Sequence, residues 1–373
     1  MIYLDNAATT KANEDCLQTF IKYNQDNFYN ASAMYKQGND LHKEIENAKQ
    51  DILKALGASG GKIYFTSGAT EANNLAIFGS NSFKQKKYLF SIGEHPSVYA
   101  TAVAMQNMGY KVEFIPLQAN GEVDYDAFKN MMSKDVCFVS VMYVNNETGA
   151  VNNIKKIREI INNTSKDIRL HVDAVQGFGK LPLNVNSFGI DLCTISGHKI
   201  YGPKGIGALY VAPKCAVKPV TYGGGQEEGV RPGTYNAPLI MSFVDAIKAT
   251  TKESATQYKY IFDLKSRFID NLADIKDKII INGNGSPYIL SISVKGIRGE
   301  TVLHMLEIED IIIGTGSACS SSKVENRVLT AMGRTKDEVL GSIRISFSKH
   351  NTIEEIDIAS KKLVEVINKL LSM

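Results

Sequence analysis

The segment "LCTISGHKIYGPKGIGALYV" spans residues 192–211 and joins two apolar runs through a polar, glycine-rich loop. The runs at 192–196 and 206–211 are short and contain β-branched and aromatic residues, which predicts buried strands. Lys199 follows the first run, so a flexible cation is expected where a strand ends. Because ligands of open α/β sheets bind beyond the carboxyl ends of the strands, this loop is a candidate site.

Five earlier segments have the same character and alternate with helical patterns. They occupy residues 62–65, 87–92, 110–117, 136–144 and 168–173. Strands that alternate with helices favour a mainly parallel sheet covered on both faces. The sequence therefore predicts an α/β fold whose large domain contains a mainly parallel seven-stranded sheet.

The pattern changes after about residue 245, where a long helical stretch is followed by "PYILSISV" and a closing helix. A chain of 373 residues is typical of two domains. We predict a large ligand-binding domain over 14–250. A smaller α+β domain would combine 1–13 with 251–373.

Composition excludes several classes of protein. The net charge of +3 is small and the basic residues are scattered, so nucleic acid is not expected as a direct ligand. No apolar run reaches membrane-spanning length, and the start does not resemble a signal peptide. The odd set of cysteines has no zinc-binding spacing, so we expect no metal site and a cytoplasmic location. These cysteines are Cys16, Cys137, Cys193, Cys215 and Cys319.

The segment "TSGATEANN" (66–74) places small residues where a strand turns into a helix. Free N–H groups at a helix start, aided by the helix dipole, can hold a phosphate. Ser67 is the candidate N-cap, and a plain capped helix is the alternative interpretation. The chain contains neither a Walker motif nor GxGxxG, which argues against a nucleotide.

Two further strand ends carry complementary groups. Asp173 ends an apolar run and Gln176 follows it, whereas Lys199 ends the run described above. A lysine for an aldehyde, a carboxylate for a pyridine nitrogen and an anion site are what pyridoxal 5′-phosphate (PLP) needs. Taken singly, a salt-bridged aspartate and a surface lysine remain alternatives.

Three more segments carry candidate side chains. His95 could stack on a planar cofactor or move a proton, and Asn145 and Asn146 could donate to a phenolic oxygen. Arg344 shares the polar face of an alternating strand and suits a carboxylate. The alternatives are a structural loop histidine, turn-forming asparagines and a surface arginine.

Cys319 lies within "GTGSACSSSK" (314–323), where nearly every residue is small. Such a composition favours a mobile loop with an accessible thiol. A passive loop cysteine is the alternative. Cys137 and Cys193 lie in apolar runs, so we expect them to be inert.

These segments together resemble the NifS/IscS-type cysteine desulfurases, which are fold-type I, class V aminotransferase-like PLP enzymes. The matching motifs occur in family order along the whole chain: "YLDNAATT", "FTSGATEANN", "EHPSV", "VNNETG", "HVDAVQ", "SGHKIYGPKGIGALYV", "GGGQEEGVRPGT", "GSACSS" and "RIS". The resemblance implies conversion of L-cysteine to L-alanine, with transfer of sulfur to an enzyme cysteine as a persulfide. It also implies delivery to a sulfur-acceptor protein, either an iron–sulfur scaffold or a tRNA-thiolating enzyme.

The resemblance implies a role for each matching residue. Lys199 would bond the cofactor aldehyde, Asp173 would pair with the pyridine nitrogen, and Gln176 and Asn146 would lie near the phenolic oxygen. The phosphate would be held by Ala69, Thr70, Ser196 and His198, and by Thr234 of a neighbouring subunit, which implies a homodimer. His95 would stack on the ring and act in catalysis, Arg344 and Asn146 would bind substrate, and Cys319 would accept the sulfur.

Three positions depart from the family pattern. Glu228 replaces an arginine, Pro232 replaces a serine, and Tyr35 replaces a histidine. A selenocysteine lyase or another class V aminotransferase would use the same cofactor residues and stays an alternative. A non-catalytic PLP-fold partner protein is a further alternative.

Overall fold

The computed structural model describes residues 1–80, 85–283, 285–315 and 326–372. The strands are β1 (Ile2–Tyr3), β2 (Lys62–Thr66), β3 (Lys87–Ser91), β4 (Lys111–Ile115), β5 (Val136–Met142), β6 (Arg169–Asp173), β7 (Leu192–Ser196), β8 (Gly207–Val211), β9 (Ile279–Ile281), β10 (Ile289–Val294), β11 (Ile311–Ile312), β12 (Gly314–Thr315) and β13 (Ser342–Ser346). The helices are α1 (Glu14–Gln25), α2 (Lys36–Ala55), α3 (Ala69–Gly79), α4 (Pro96–Asn107), α5 (Tyr125–Met131), α6 (Ile154–Thr164), α7 (Ala237–Asp270), α8 (Gly299–Glu307), α9 (Arg327–Ala331), α10 (Lys336–Leu340) and α11 (Ile353–Leu371).

Seven strands form the main sheet in the order β2-β8-β7-β6-β5-β3-β4. The strands β7, β6, β5, β3 and β4 run parallel, whereas β8 is antiparallel to both of its neighbours. Asp173 at the end of β6 is paired with Met142 of β5 and with Thr194 of β7. The predicted mainly parallel seven-stranded sheet is therefore present, and it places Asp173 near its centre.

Two apolar cores cover the faces of this sheet, which explains why β5 is apolar on both sides. One contains buried residues of α2, α6 and the first half of α7, such as Ile45, Ile157 and Phe243. The other contains residues of α3 and α4, such as Leu75 and Met105. The strand ends are consequently the part of the sheet left free for ligands.

A third core belongs to the C-terminal part of the chain. There the antiparallel sheet β12-β13-β10-β9 packs with α8 and α11. The 34-residue helix α7 contributes Phe243 to the first core and Phe268 to this one. Val328 of α9 packs into the first core, although the predicted small domain contained it. The predicted boundaries 14–250, 1–13 and 251–373 stay a prediction.

None of the helices in the described ranges is long and apolar enough to cross a membrane.

Candidate active site

One cavity of about 960 Å³ opens at the carboxyl ends of the parallel strands. That volume is typical of a small-molecule or cofactor site. Many of the residues predicted from sequence line it, although they come from separate loops: Ala69, Thr70, His95, Asn146, Asp173, Gln176, Ser196, His198, Lys199 and Arg344. The fold thus brings the predicted anion site, carboxylate and lysine together.

Two predicted residues within the described ranges do not line this cavity. Thr234 lines a smaller neighbouring cavity of about 500 Å³, and Glu71 borders both. Asn145 is buried, and both ends of its side-chain amide are already bonded. Its Oδ1 accepts from the N–H groups of Glu147 and Thr148, and its Nδ2 donates to the carbonyl of Gly93 at 3.0 Å. Cys319 lies outside the described residues.

The cavity has an anion-binding end at the start of α3. Gly68 is the N-cap with a φ of 155°, a conformation open to glycine, and Ala69 and Thr70 begin the helix. The prediction that Ser67 caps this helix is wrong, because Gly68 occupies the N-cap position and no side chain caps the helix. The N–H of Ser67 instead donates to the side chain of Glu71 at 2.6 Å.

Ser196 and His198 lie beside the same helix start. The buried Oγ of Ser196 has no hydrogen-bond partner among the described residues. His198 Nδ1 lies 3.2 Å from the hydroxyl of Thr9, and burial, with nearby Lys199, lowers the His198 pKa to about 4. This end of the cavity therefore offers unused polar groups and a neutral imidazole.

Asp173 is buried with only 3 % of its surface exposed. Its Oδ2 accepts from Asn73 Nδ2 at 2.8 Å, and its Oδ1 accepts from the N–H of Val175 at 3.0 Å. These two donors fix the carboxylate at the centre of the cavity wall. Sequence reasoning missed Asn73, although it lies in the quoted α3 segment.

Lys199 ends a short 3₁₀ turn that follows β7. Its ammonium donates to the carbonyl oxygens of Ala7 at 2.7 Å and Ala8 at 2.6 Å. Burial, and secondly the charge of Arg344, lowers the Lys199 pKa to about 8, while Asp5 and Asp173 act in the opposite direction. The amine is therefore closer to its neutral, nucleophilic form than an ordinary lysine.

Gln176 is held from two sides. Its Nε2 donates to the carbonyl of Ala7 at 2.9 Å, and its Oε1 accepts from Lys180 Nζ at 3.0 Å. Lys180 was not predicted, because nothing local marks it as part of a site.

His95 is the N-cap of α4. Its Nδ1 accepts from the N–H of Ser97 at 3.2 Å, so the neutral ring carries its proton on Nε2. Burial lowers the His95 pKa, the charges of Lys199 and Arg327 lower it further, and Asp173 opposes them. His95 thus offers a flat, neutral ring with one donor nitrogen.

Arg344 of β13 bonds to the N-terminal segment and to the loop after β5. Its Nη2 lies 2.7 Å from Asp5 Oδ1, and its Nη1 donates to Asn146 O at 2.9 Å. A Cβ at position 314 would lie 2.7 Å from Asp5 Oδ1, so the Asp5–Arg344 ion pair leaves room only for a glycine there. The Nε of Arg344 is buried without a partner among the described residues, so it has capacity for an anionic ligand.

Two further ionisable residues at the cavity wall, Glu147 and Arg327, were missed by sequence reasoning. Burial raises the Glu147 pKa to about 7, opposed by Asn326, Arg327 and Arg344. Arg327 donates to the carbonyl oxygens of Ile92 and Glu94, next to His95. Glu147 could have been predicted, because it is the acidic residue of the quoted segment "VNNETG". No sequence pattern indicates Arg327 as part of the site.

The four cysteines in the described part of the chain do not line the cavity. Burial raises the pKa of Cys193 and that of Cys137. Both thiols are therefore held in the unreactive form, as predicted for them.

Comparisons with known proteins agree with this site. Residues 2–358 match the family described as aminotransferase class V. The chain is 37% identical over 380 residues to "Cysteine desulfurase IscS 1" of Archaeoglobus fulgidus, covering 100% of this chain and 98% of that protein. It is 38% identical over 379 residues to "Cysteine desulfurase IscS" of Rickettsia bellii, covering 99% and 92%.

Solved structures give the same result. A "NifS-like protein" superposes with a TM-score of 0.92 at 30% identity and covers 99% of both chains. "SspA in complex with cysteine" superposes with a TM-score of 0.82 at 30% identity, covering 94% of this chain and all of that one. The predicted fold-type I class is thereby confirmed, and this chain belongs to the aminotransferase class V family.

Proposed function

We propose that this protein is a PLP-dependent cysteine desulfurase that converts L-cysteine to L-alanine and passes the sulfur to its own Cys319. The observation that carries the proposal is the single cavity shared by Asp173, Lys199, Arg344 and the start of α3. Relatives named cysteine desulfurase, similar over the full chain, support the same activity.

The cavity fits PLP on its own chemistry. The orphaned Ser196 Oγ and the helix start at Ala69 and Thr70 suit the phosphate, with His198 beside them. Asp173 suits the pyridine nitrogen, Gln176 and Asn146 the phenolic oxygen, and Lys199 the aldehyde. When bound, PLP withdraws electrons from the α-carbon of an amino acid.

The side chains would divide the remaining work. Arg344, with its unused Nε, would bind the substrate carboxylate next to Asn146. Lys199, with its lowered pKa, would take the proton from the α-carbon. His95 would lie against the cofactor ring and donate from Nε2, since its Nδ1 is occupied by Ser97.

Sulfur transfer would follow at Cys319. The Cys319 thiolate attacks the sulfur of the bound cysteine and forms an S–S bond. The C–S bond breaks, its electron pair stays on carbon, and a proton completes alanine. The persulfide then supplies an external acceptor, an iron–sulfur scaffold or a tRNA-thiolating enzyme.

We further propose a cytoplasmic homodimer. Thr234, in the cavity beside the main one, would contribute to the phosphate site of the second subunit. The four described cysteines are all free, which suits a reducing compartment.

The test is the product analysis of purified protein supplied with PLP, L-cysteine and excess dithiothreitol, the reductant that releases the outer persulfide sulfur as sulfide and restores the Cys319 thiol. We expect alanine and sulfide in equal amounts without a keto acid. Cys319→Ala should retain the bound-cofactor absorbance and lose sulfide release, whereas the control Cys215→Ala, at a thiol outside the cavity, should retain both. Undiminished turnover in Cys319→Ala would contradict the role of Cys319. Activity with selenocysteine alone, or only with a keto acid, would indicate the related enzymes instead.

A further inference from the structure

Lys180 is a buried cation with no evident reason to be buried. Only 5% of its surface is exposed, and it forms no ion pair with a carboxylate in the described ranges. Its ammonium lies 5.6 Å from the ring centre of Tyr288, which compensates little of the lost hydration. Burying an unpaired charge costs free energy, so a buried lysine is expected to have a role that offsets this cost. The contacts of Lys180 indicate that role.

Its one side-chain hydrogen bond to a described residue goes to the cavity wall. Lys180 Nζ donates to Gln176 Oε1 at 3.0 Å across a single turn of the chain. Gly179, with a φ of 71°, shapes this turn, and its Cα faces Thr250 too closely for a side chain. The turn therefore places the side chains of Gln176 and Lys180 in contact.

The two contacts of Gln176 allow only one orientation of its amide. The ammonium form of Lys180 has donors and no acceptor, so it can bond only to the amide oxygen. The carbonyl of Ala7 accepts at 2.9 Å and must meet the nitrogen. One N–H of the amide is then left for the cavity that Gln176 lines.

We propose that Lys180 is a positioning residue that fixes the Gln176 amide so that its free N–H meets the phenolic oxygen of PLP. This inference rests on the proposed function, because it assumes that PLP occupies the cavity. Without Lys180 the amide oxygen would lose its partner, and the amide could rotate away from the bonding orientation.

A plain charge effect is the competing explanation. Burial, with the charges of Lys199 and Arg344, lowers the Lys180 pKa to about 7, so the residue carries a partial charge at neutral pH. A charge effect would act on the cofactor directly, whereas positioning must act through Gln176. The two explanations differ in a variant that lacks the Gln176 amide.

The experiment titrates full-length apoprotein with PLP and follows the bound-cofactor absorbance. The variants are Lys180→Met, Gln176→Ala and their combination. Lys265→Met is the matched control, because Lys265 is partly buried, also has a lowered pKa, and donates to the carbonyls of Ser286 and Ile289, outside the cavity. We expect Lys180→Met to bind PLP about three- to tenfold more weakly, the loss of one net hydrogen bond. Lys265→Met should bind as the wild type does.

A second readout is the pH midpoint of the absorbance change of bound PLP. Losing a donor to the phenolic oxygen should raise this midpoint by about half a unit in Lys180→Met. In the Gln176→Ala background, adding Lys180→Met should change neither the affinity nor the midpoint. Equal effects of Lys180→Met in both backgrounds would overturn positioning in favour of charge, and wild-type behaviour of Lys180→Met would overturn both.

Two safeguards keep the result decisive. If Lys180→Met does not fold, as judged by circular dichroism, Lys180→Gln replaces it. Its neutral amide restores a donor, so affinity within about twofold of the wild type supports positioning and a larger loss overturns it. Wild-type protein that binds no PLP would refute the proposed function itself, whereas PLP binding unaffected by Lys180 refutes only this inference.

Discussion

The lowered pKa of Lys199 should govern how fast the apoprotein captures PLP. Only the neutral amine attacks an aldehyde. Burial and Arg344 bring the Lys199 pKa from 10.5 to about 8. At pH 7 about a tenth of the amine is then neutral, against about three parts in ten thousand for an ordinary lysine, a gain of about 300-fold.

The assay is stopped-flow absorbance of apoprotein mixed with PLP between pH 6.5 and 9.5 at constant ionic strength. The rate should rise with pH, because the ammonium form is lost, and level off above a midpoint near 8. Arg344→Met should move the midpoint upward, since it removes a cation and leaves Asp5 without its partner. Arg267→Met removes an arginine from an exposed pair with Asp357 and should leave the midpoint unchanged.

A rate that still climbs tenfold per pH unit at pH 9.5 would refute the reasoning, because it would mean an unperturbed lysine. An unchanged midpoint in Arg344→Met would leave burial as the sole cause of the shift.

Two other substitutions test the support of the site. Asn73→Leu removes the 2.8 Å charge-assisted hydrogen bond to Asp173, which should lower the free energy of unfolding by about 1.5–3 kcal/mol. Urea unfolding of the apoprotein measures this change. Wild-type stability would show that Asn73 does not support the carboxylate. Gly177→Ala places a Cβ 2.3 Å from the ring of Tyr143, so overpacking should lower the free energy of unfolding by about 1–3 kcal/mol. It should also weaken PLP binding, because the turn that follows Gln176 is displaced. Unchanged PLP affinity would show that this turn tolerates the added methyl group.

The sheet could be predicted because its information is local. Each apolar run between turn residues corresponds to a strand within one or two residues, and the strand ends carry the polar groups. Asp173 and Lys199 were predicted on that basis alone. Ser67 was misassigned because a helix start depends on the backbone of Gly68, which the residue types do not specify.

The supporting contacts could not be predicted, because they join distant parts of the chain. Asp5 meets Arg344 across 339 positions, and Ala7 meets Gln176 across 169. Neighbouring residues can also differ in role: the side chain of Asn145 bonds to its own turn and to Gly93, whereas Asn146 lines the cavity. Tertiary packing decides such cases, and no local pattern reports it.

The contact between the segment 5–7 and strand β13 affects when the cavity can form during synthesis. Asp5 and Ser346 form an isolated parallel β-bridge through their backbones, and the N–H of Ala7 donates to the hydroxyl of Ser346 at 2.8 Å. At about 5–20 residues per second, roughly 20–70 seconds separate the translation of these two parts. The part of the cavity wall formed by Asp5, Ala7 and Ala8 can therefore be completed only after β13 has been synthesised, and the proposed cofactor is expected to bind after that point.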